Sequence, residues 1–203
     1  SPDATADLGK AVSSIPAYVG RSRFFFVLCP VVENADHSRV FSPNSWAERG
    51  WCRLERAVRE LSKNNSYILV RSSSYLELVA HPIASFGGPP GEGKFTVEGD
   101  RARLAPVLQR TIRHTLVSYL KEQDFVGYRT LLNLQHVHLR GFQAAPIADI
   151  VPGFVPRPGA EEDFITAAKF LHENGFTHVR EIDSAGCSPL CYAAMSGDSD
   201  IVD

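Results

Sequence analysis

The sequence predicts an α/β domain followed by an all-helical one. Two short apolar runs, Arg23–Cys29 and Ser66–Val70, flank a segment whose apolar residues have helical spacing, and this alternation is typical of an α/β fold. Beyond residue 99 the periodic segments are all helical. Between the two parts, the chain is rich in glycine and proline at residues 82–99. We therefore predict an α/β domain at 1–81, a linker at 82–99 and a helical domain at 100–203.

Each element of the α/β part has its own signal. Ser14–Gly20 has the pattern of a helix end, and Arg23–Cys29 is a continuous aromatic-rich run, which is typical of a strand buried on both faces. Ser45–Lys63 is predicted to be one helix despite Gly50. Its apolar stripe consists of Trp51, Leu54, Ala57, Val58 and Leu61. Ser66–Val70 is the second predicted strand, and Tyr75–Val79 is a possible third.

The helical part begins at Asp100, a suitable N-cap for a long helix over residues 101–123. Pro106 lies close enough to its start to be tolerated, or it kinks the helix. A shorter helical pattern covers residues 125–135, and the proline-rich stretch Phe142–Glu162 is predicted to be a loop. A further helix is expected over Glu161–Asn174, with Gly175 as a left-handed stop.

Composition limits the function classes. Apolar residues make up 44% of the 203 residues, and the formal net charge is -2. Nucleic-acid and membrane-surface proteins usually need a basic face, so neither partner is expected. The four cysteines are scattered, which favours free thiols in a reducing, cytoplasmic setting. We also expect the chain to be part of a longer protein, because it lacks an initiator Met and ends inside a helical pattern.

The stretch Asp183–Val202 carries the most specific motif in the chain. It contains a turn glycine, a capping serine followed by proline, a small apolar helix face, a helix-ending glycine and the start of another helix. These roles fall to Gly186; Ser188 and Pro189; Leu190, Ala193 and Ala194; Gly197; and Ile201 with Val202. The stretch resembles the ankyrin-repeat pattern D-x-x-G-x-T-P-L-x-x-A-A-x-x-G-x-x-x-I-V, with Ser188 in place of the usual Thr.

The ankyrin resemblance implies a scaffold that binds another protein on its repeat surface and performs no chemistry. Two earlier segments have the same rhythm and are predicted to be degenerate repeats: one contains Phe170 and Leu171, the other ends at Leu131 and Leu132. The repeat array is expected to be truncated at the C-terminus. The alternative interpretation is a generic helical hairpin whose glycines and prolines match by coincidence.

The first part of the chain carries a second motif, W-C-x-x-E, at Trp51, Cys52 and Glu55. Together with the buried-type run before it, the motif resembles Toll/interleukin-1 receptor (TIR) domains over about residues 14–71. It departs from them at Arg49 and Arg56, and the first strands of such domains have no counterpart here. The resemblance implies a partial, flavodoxin-like parallel sheet.

Some TIR domains cleave NAD, and others are adaptors without activity. By resemblance, Glu55 would be the catalytic carboxylate and Trp51 would line the NAD pocket, with NAD as substrate and no cofactor required. At ~100° per residue Glu55 borders the apolar stripe, where a carboxylate can have a raised pKa. Two simpler interpretations remain: Glu55 forms an i,i+4 ion pair with Arg59, and Trp51 is a core anchor. Whether the protein is an enzyme stays open.

Three weaker signals do not support a site. Gly88–Phe95 is close to a phosphate-binding loop, but Phe95 replaces the required hydroxyl and two prolines remove N–H groups, so a rigid linker is favoured. His136 and His138 could share a strand face, but no third ligand is evident and no metal is predicted. Cys187 and Cys191, four residues apart on the ankyrin helix, are interpreted as packing residues.

Overall fold

In this computed structural model, residues 2–80 and 88–202 are described. The chain divides into two compact units, one formed by residues 1–111 and 138–144 and the other by residues 112–137 and 145–203. The first part of the predicted linker, residues 82–87, lies outside the described residues.

The first unit is mixed α/β, as predicted. Its elements are α1 (Pro2–Arg21), β1 (Phe26–Leu28), β2 (Val32–Glu33), β3 (Val40–Phe41), α2 (Pro43–Ala47), α3 (Gly50–Glu60), β4 (Tyr67–Val70) and β5 (Leu76–Val79). The main sheet has the order β1-β4-β5, and β2 with β3 forms a separate antiparallel ribbon. The β1–β4 pair is parallel, but β5 returns antiparallel to β4. The three-stranded sheet is therefore mixed, whereas the sequence predicted a parallel one.

The prediction that the first strand is buried on both faces is wrong. In β1, Val27 is 2% exposed, but Phe26 and Leu28 are 52% and 72% exposed. The strand register puts them on one face of the sheet with four other apolar residues. We call this the outer face: Phe26, Leu28, Ile68, Val70, Leu76 and Leu78. A continuous apolar run does not reveal whether both sides of a strand are covered.

The helix predicted over Ser45–Lys63 is two helices, α2 and α3, separated at Glu48 and Arg49. At this break, the Gly50 N–H donates to the Lys94 carbonyl, and the Lys94 N–H donates to the Glu48 carbonyl. The ring of Phe95 covers Gly50 so closely that a Cβ there would lie 2.0 Å from a ring carbon. Any side chain at position 50 would therefore displace the Phe95 ring, and α3 begins at this contact with residues 94–95.

The remaining helices are α4 (Gly99–Glu122), α5 (Phe125–Leu139), α6 (Glu162–Asn174), α7 (Pro189–Ser196) and α8 (Ser199–Val202). Two of the three boundaries between the units fall within α4 and α5, and the third falls in the loop after α5. Pro106 lies inside α4, which continues past it, and Gly175 ends α6 with φ 64°, as predicted. Residues 143–161 form a loop between α5 and α6. Within the described residues, no helix has the length and apolar character needed to cross a membrane.

Candidate functional site

The turn of the ankyrin-like stretch forms as predicted. Gly186 has φ 79°, and its N–H donates to the Asp183 carbonyl at 3.0 Å. The Asp183 carboxylate also organises the turn, since its Oδ1 accepts the N–H groups of Ala185 and Cys187 at 2.9 and 3.0 Å. This Asx-type arrangement holds the backbone ahead of α7 in one conformation.

Helix α7 has the predicted ends. Ser188 is its N-cap in extended conformation, Pro189 follows, and Gly197 closes the helix with φ 70°. One predicted detail is wrong, because the Ser188 hydroxyl makes no capping hydrogen bond to the backbone. It lies instead 3.5 Å from the Sγ of Cys191.

The buried face of α7 differs from the predicted one. Ala193 is 2% exposed, as expected, but Leu190 is 57% exposed and Ala194 is also exposed. The core position is taken by Tyr192, at 1% exposure, whose ring packs against Phe176 with 6.0 Å between centroids. Leu190 and Tyr192 are two positions apart, which is about 200° around a helix, so the burial of Tyr192 leaves Leu190 facing outward.

A buried arginine connects this stretch to the helices before it. Arg129 of α5 is 6% exposed and donates to the carbonyls of Asn174 and Gly175, at the end of α6, at 2.8 and 3.2 Å. Its Nη1 lies 3.3 Å from Asp183 Oδ2, and its guanidinium lies over the Phe176 ring at 3.8 Å from the centroid. The last carbonyls of a helix lack partners within the helix, so Arg129 supplies the donors that α6 needs.

Asp183 is the centre of this network. Its side chain is 4% exposed, and besides Arg129 its Oδ2 accepts the hydroxyl of Tyr192 at 2.6 Å. Burial alone would raise the pKa of Asp183, but the hydrogen bonds from Tyr192, from backbone N–H groups and from Arg129 together lower it. Burial raises the pKa of Tyr192, its hydrogen bond to Asp183 and the charge of Asp183 raise it further, and the charge of Arg129 lowers it by a smaller amount. Asp183 is therefore a charged, fully paired residue.

Glu55 lies on α3, half-buried at the edge of the apolar stripe. Burial raises the pKa of its carboxyl group, and the nearby charge of Arg49 lowers it by a smaller amount. The alternative ion pair with Arg59 is not formed. Arg59 is 1% exposed and donates to the carbonyls of Val19, Ser22, Arg23 and Ser66. Within the described part of the chain, we find no hydrogen bond or ion pair to the Glu55 carboxylate.

Trp51, one turn before Glu55 on α3, is also half-buried. Its indole Nε1 donates to Asp100 Oδ2 at 3.1 Å, and Asp100 also accepts from Arg103. The indole N–H of Trp51 therefore has a hydrogen-bond partner within the first unit, as expected of a tryptophan that anchors a core. Neither Trp51 nor Glu55 lines the cleft of about 300 Å³ between α1 and α4 or the cleft of about 410 Å³ beside α6.

Sequence reasoning missed a second buried carboxylate on α3. The side chain of Glu60 is 8% exposed, and its Oε1 lies 3.3 Å from the Nε of Arg56, whose side chain is 7% exposed. Burial raises the pKa of Glu60 to about 7, although the charge of Arg56 opposes the rise. Arg56 and Arg59 are also buried, at 5% and 1% exposure, and backbone carbonyls of the first unit accept hydrogen bonds from both guanidinium groups.

The segment resembling a phosphate-binding loop is packed against α3. Gly88 and Pro89 present carbonyls, which accept from Arg56 and Arg53, rather than the N–H groups that a phosphate needs. Pro90–Glu92 forms a 3-10 turn. This geometry agrees with the absence of the phosphate-site hydroxyl from the sequence.

His136 and His138 lie on α5 and not on a strand. Two positions apart on a helix, their side chains point in different directions. Among the described residues, no group of three or more His, Cys, Asp or Glu is arranged to hold a metal ion. Cys187 precedes α7 rather than lying on it, while Cys191 is in its first turn.

Compared with protein-family models, curated proteins and solved structures, the chain matches none.

Proposed function

We propose that this protein is an interaction and signalling scaffold, in which ankyrin-type repeats bind a protein partner and a TIR-like α/β unit is attached. The carrying observation is the Asp183 network. One carboxylate holds the turn before α7, the hydroxyl of Tyr192 and the guanidinium of Arg129. A turn fixed in this way is pre-organised, which lowers the entropic cost of binding through it. The helices containing Leu131 and Phe170 are proposed as degenerate predecessor repeats.

The binding surface we propose surrounds this turn. Three apolar side chains of the second unit are exposed there or in the adjoining segment: Val179, Ile182 and Leu190, at 58%, 60% and 57%. Buried apolar anchors contribute most of the energy of a protein interface. An exposed leucine on a short helix next to a fixed turn is suited to that role.

A direct binding measurement tests this proposal. After a partner is captured with the full-length protein, its affinity is measured for the Leu190→Glu variant and for a control, Val155→Glu, whose valine is 81% exposed in the loop before α6. We expect Leu190→Glu to weaken binding by at least about tenfold, roughly 1.4 kcal/mol, and the control to have no effect. No saturable protein partner, or equal losses for both variants, would contradict the proposal.

A second candidate function is hydrolysis of NAD to nicotinamide and ADP-ribose with Glu55 as the catalytic carboxylate. It is favoured by one observation: Glu55 is half-buried and has no ion-pair partner among the residues that the structure describes, and burial raises the pKa of its carboxyl group. Such a carboxylate is suited to general acid–base or electrostatic roles. Arg59 was the expected ion-pair partner of Glu55, but its guanidinium donates to backbone carbonyls instead.

The enzymatic candidate is tested by nicotinamide release from NAD by the full-length protein. We expect Glu55→Gln to lower the rate by about 100-fold or more. Glu60→Gln is the matched control, because Glu60 is another buried carboxylate on the same helix with a raised pKa. Equal activity of Glu55→Gln and the unaltered protein would falsify the assignment of Glu55.

A further inference from the structure

A cleft of about 300 Å³ lies between α1 and α4 in the first unit, and neither of the two proposed functions uses it. Helix α4 lines it with residues 103, 106, 107 and 110, and α1 lines it with residues 9, 12 and 13. Spacings of three, four and seven residues place side chains on the same face of a helix, so one face of each helix borders the cleft. Its volume is at the lower limit of small-molecule sites, roughly 300–1,000 Å³.

The base of the cleft is apolar. Val12 of α1 and Val107 of α4 both line it and are 7% and 2% exposed. Pro106, next to Val107, is exposed at the cleft wall and has no backbone N–H that needs a partner. These three residues form a floor on which an apolar group can lie away from water.

Two arginines border this apolar floor. Arg103 and Arg110 are seven residues apart on α4, so they lie on the same face, about 10 Å apart along the helix axis. The Nη1 of Arg103 lies 3.1 Å from Asp100 Oδ1, and the two charges compensate each other. Arg110 is exposed, and among the described residues we find no carboxylate within ion-pair distance of its guanidinium. The described part of the cleft therefore carries one uncompensated positive charge, at Arg110.

Ser13 of α1 lies beside the guanidinium of Arg110. Its hydroxyl oxygen accepts from Nη2 of Arg110 at 3.5 Å, and the hydroxyl proton can still be donated to another acceptor. A guanidinium presents its N–H donors in one plane and matches the two oxygens of a carboxylate. A carboxylate at this point would accept hydrogen bonds from both helices.

We propose that the cleft between α1 and α4 binds small amphiphilic monocarboxylates, such as medium-chain fatty acids. The carboxylate pairs with Arg110 and accepts the hydroxyl proton of Ser13, and the apolar chain lies along the floor formed by residues 12, 106 and 107. A single carboxylate balances the charge of Arg110, whereas a phosphate monoester carries more negative charge than the described residues of the cleft compensate. The proposal is independent of the proposed function, because it involves neither the turn before α7 nor Glu55.

The probe for this site is octanoate, titrated into the full-length protein by calorimetry and followed by NMR of the backbone amides. We expect saturable binding with a Kd at or below about 1 mM, and the largest shifts at residues 9–13 and 103–110. Three matched ligands separate the contributions: octanol lacks the charge, acetate lacks the chain, and octylammonium has the opposite charge. Each is expected to bind at least about tenfold more weakly than octanoate.

Two variants test the residues that hold the carboxylate. Arg110→Met keeps an apolar stem and removes the guanidinium, and Ser13→Ala removes the hydroxyl. Both positions are exposed, so both variants should fold. We expect octanoate to bind at least about tenfold more weakly to Arg110→Met and about three- to tenfold more weakly to Ser13→Ala. Lys121→Met is the matched control, because it removes one positive charge from an exposed position near the end of α4 and should leave the affinity unchanged.

The outcomes that overturn the proposal are specific. It fails if octanoate shows no saturable binding at ten times the expected Kd, about 10 mM. It also fails if octanol binds as tightly as octanoate, or if Arg110→Met and Lys121→Met have equal affinities for octanoate. Tighter binding of octyl phosphate than of octanoate would overturn the selection of a monocarboxylate, since that selection depends on the single charge of Arg110.

Discussion

Two buried arginines, Arg59 and Arg129, have the same role in different units. Arg59 donates to the Val19 and Ser22 carbonyls at the end of α1, and Arg129 donates to the Asn174 and Gly175 carbonyls at the end of α6. The last carbonyls of a helix need donors, and a planar guanidinium supplies several at once. The environment of each arginine is therefore determined by a distant helix end, which no local sequence pattern reveals.

The Arg129 network leads to a prediction about stability. Arg129→Met keeps the apolar stem but leaves the Asp183 carboxylate, 4% exposed, without its counterion. We expect the free energy of unfolding to fall by about 3–5 kcal/mol, measured by urea denaturation. The control is Arg180→Met, at an exposed position, with an expected change within about 0.5 kcal/mol. A loss below about 1 kcal/mol for Arg129→Met would show that the network is not stabilising.

Glu60 leads to a prediction about pH. Its folded pKa of about 7 lies above the ordinary value of 4.5, so between these pH values the folded state binds more protons than the unfolded state. The contribution of Glu60 to stability is therefore present below about pH 4.5 and is lost as the pH rises to 7. We expect Glu60→Gln to remove this loss and to raise the free energy of unfolding at pH 8 by about 1–3 kcal/mol.

Urea denaturation across pH 4.5–8 checks the Glu60 prediction. Glu48→Gln is the matched control, because Glu48 is on the surface and its hydrogen bond with Lys94 lowers its pKa. This control should leave the decline of stability between pH 4.5 and 7 unchanged. A similar decline in Glu60→Gln and in the unaltered protein would contradict the assignment.

At the scale of elements, the three-stranded sheet has two unlike faces. The inner side of β1 contains Val27, at 2% exposure, whereas Leu78 of β5 on the outer face is 66% exposed. Four of the sheet's six outer-face side chains, those of Phe26, Leu28, Leu76 and Leu78, are more than half exposed, and contiguous exposed apolar side chains of this kind mark association surfaces. Its strands also leave edges unpaired within the described residues, which makes the sheet a candidate for self-association.

This difference between the faces can be measured. We expect Val27→Ala to lower the free energy of unfolding by about 2 kcal/mol, because it removes buried methyl groups. Leu78→Thr should change it by less than about 0.5 kcal/mol, because the side chain is already in solvent, and should raise solubility. Thermal unfolding and light scattering provide the two readouts. A large destabilisation by Leu78→Thr would mean that the outer face is covered in solution.

At the scale of the whole molecule, the chain leaves the first unit and returns to it. Residues 138–144 belong to the same unit as the segment 88–93, and the two are in close backbone contact. A Cβ at Gly91 would lie 2.4 Å from the carbonyl oxygen of Arg140 and 2.6 Å from a backbone carbon of Gly141. Arg140 also pairs with Glu92 at 2.6 Å. Gly91 and Gly141 therefore allow the backbones of segments 88–93 and 138–144 to approach each other this closely.

A substitution at Gly91 tests the closure. We expect Gly91→Ala to lower the free energy of unfolding by about 1–3 kcal/mol, because backbone atoms must move apart. In Gly99→Ala a Cβ meets nothing within 4 Å at the start of α4, so this control should be neutral or slightly stabilising. Hydrogen exchange of the first unit reports where the change acts. Equal stability of the two variants would contradict the contact.

The sequence by itself was sufficient for features that depend on neighbouring residues. It predicted strands over Arg23–Cys29 and Ser66–Val70, which form at residues 26–28 and 67–70. It also predicted the αL stop at Gly175 and the turn, proline start and glycine end of α7. Each depends on local backbone preferences or on hydrophobic periodicity over a few residues. The half-buried position of Glu55 at the edge of the α3 stripe could be predicted for the same reason.

Only the tertiary structure decided which partners the polar residues find and which apolar faces are covered. It paired Arg59 with carbonyls instead of Glu55, buried Glu60, and put Tyr192 rather than Leu190 into the core. A guanidinium or a carboxylate can reach partners far away in sequence, and the burial of an apolar side chain depends on the elements that pack against it. These choices are set by long-range packing, which local propensity does not encode.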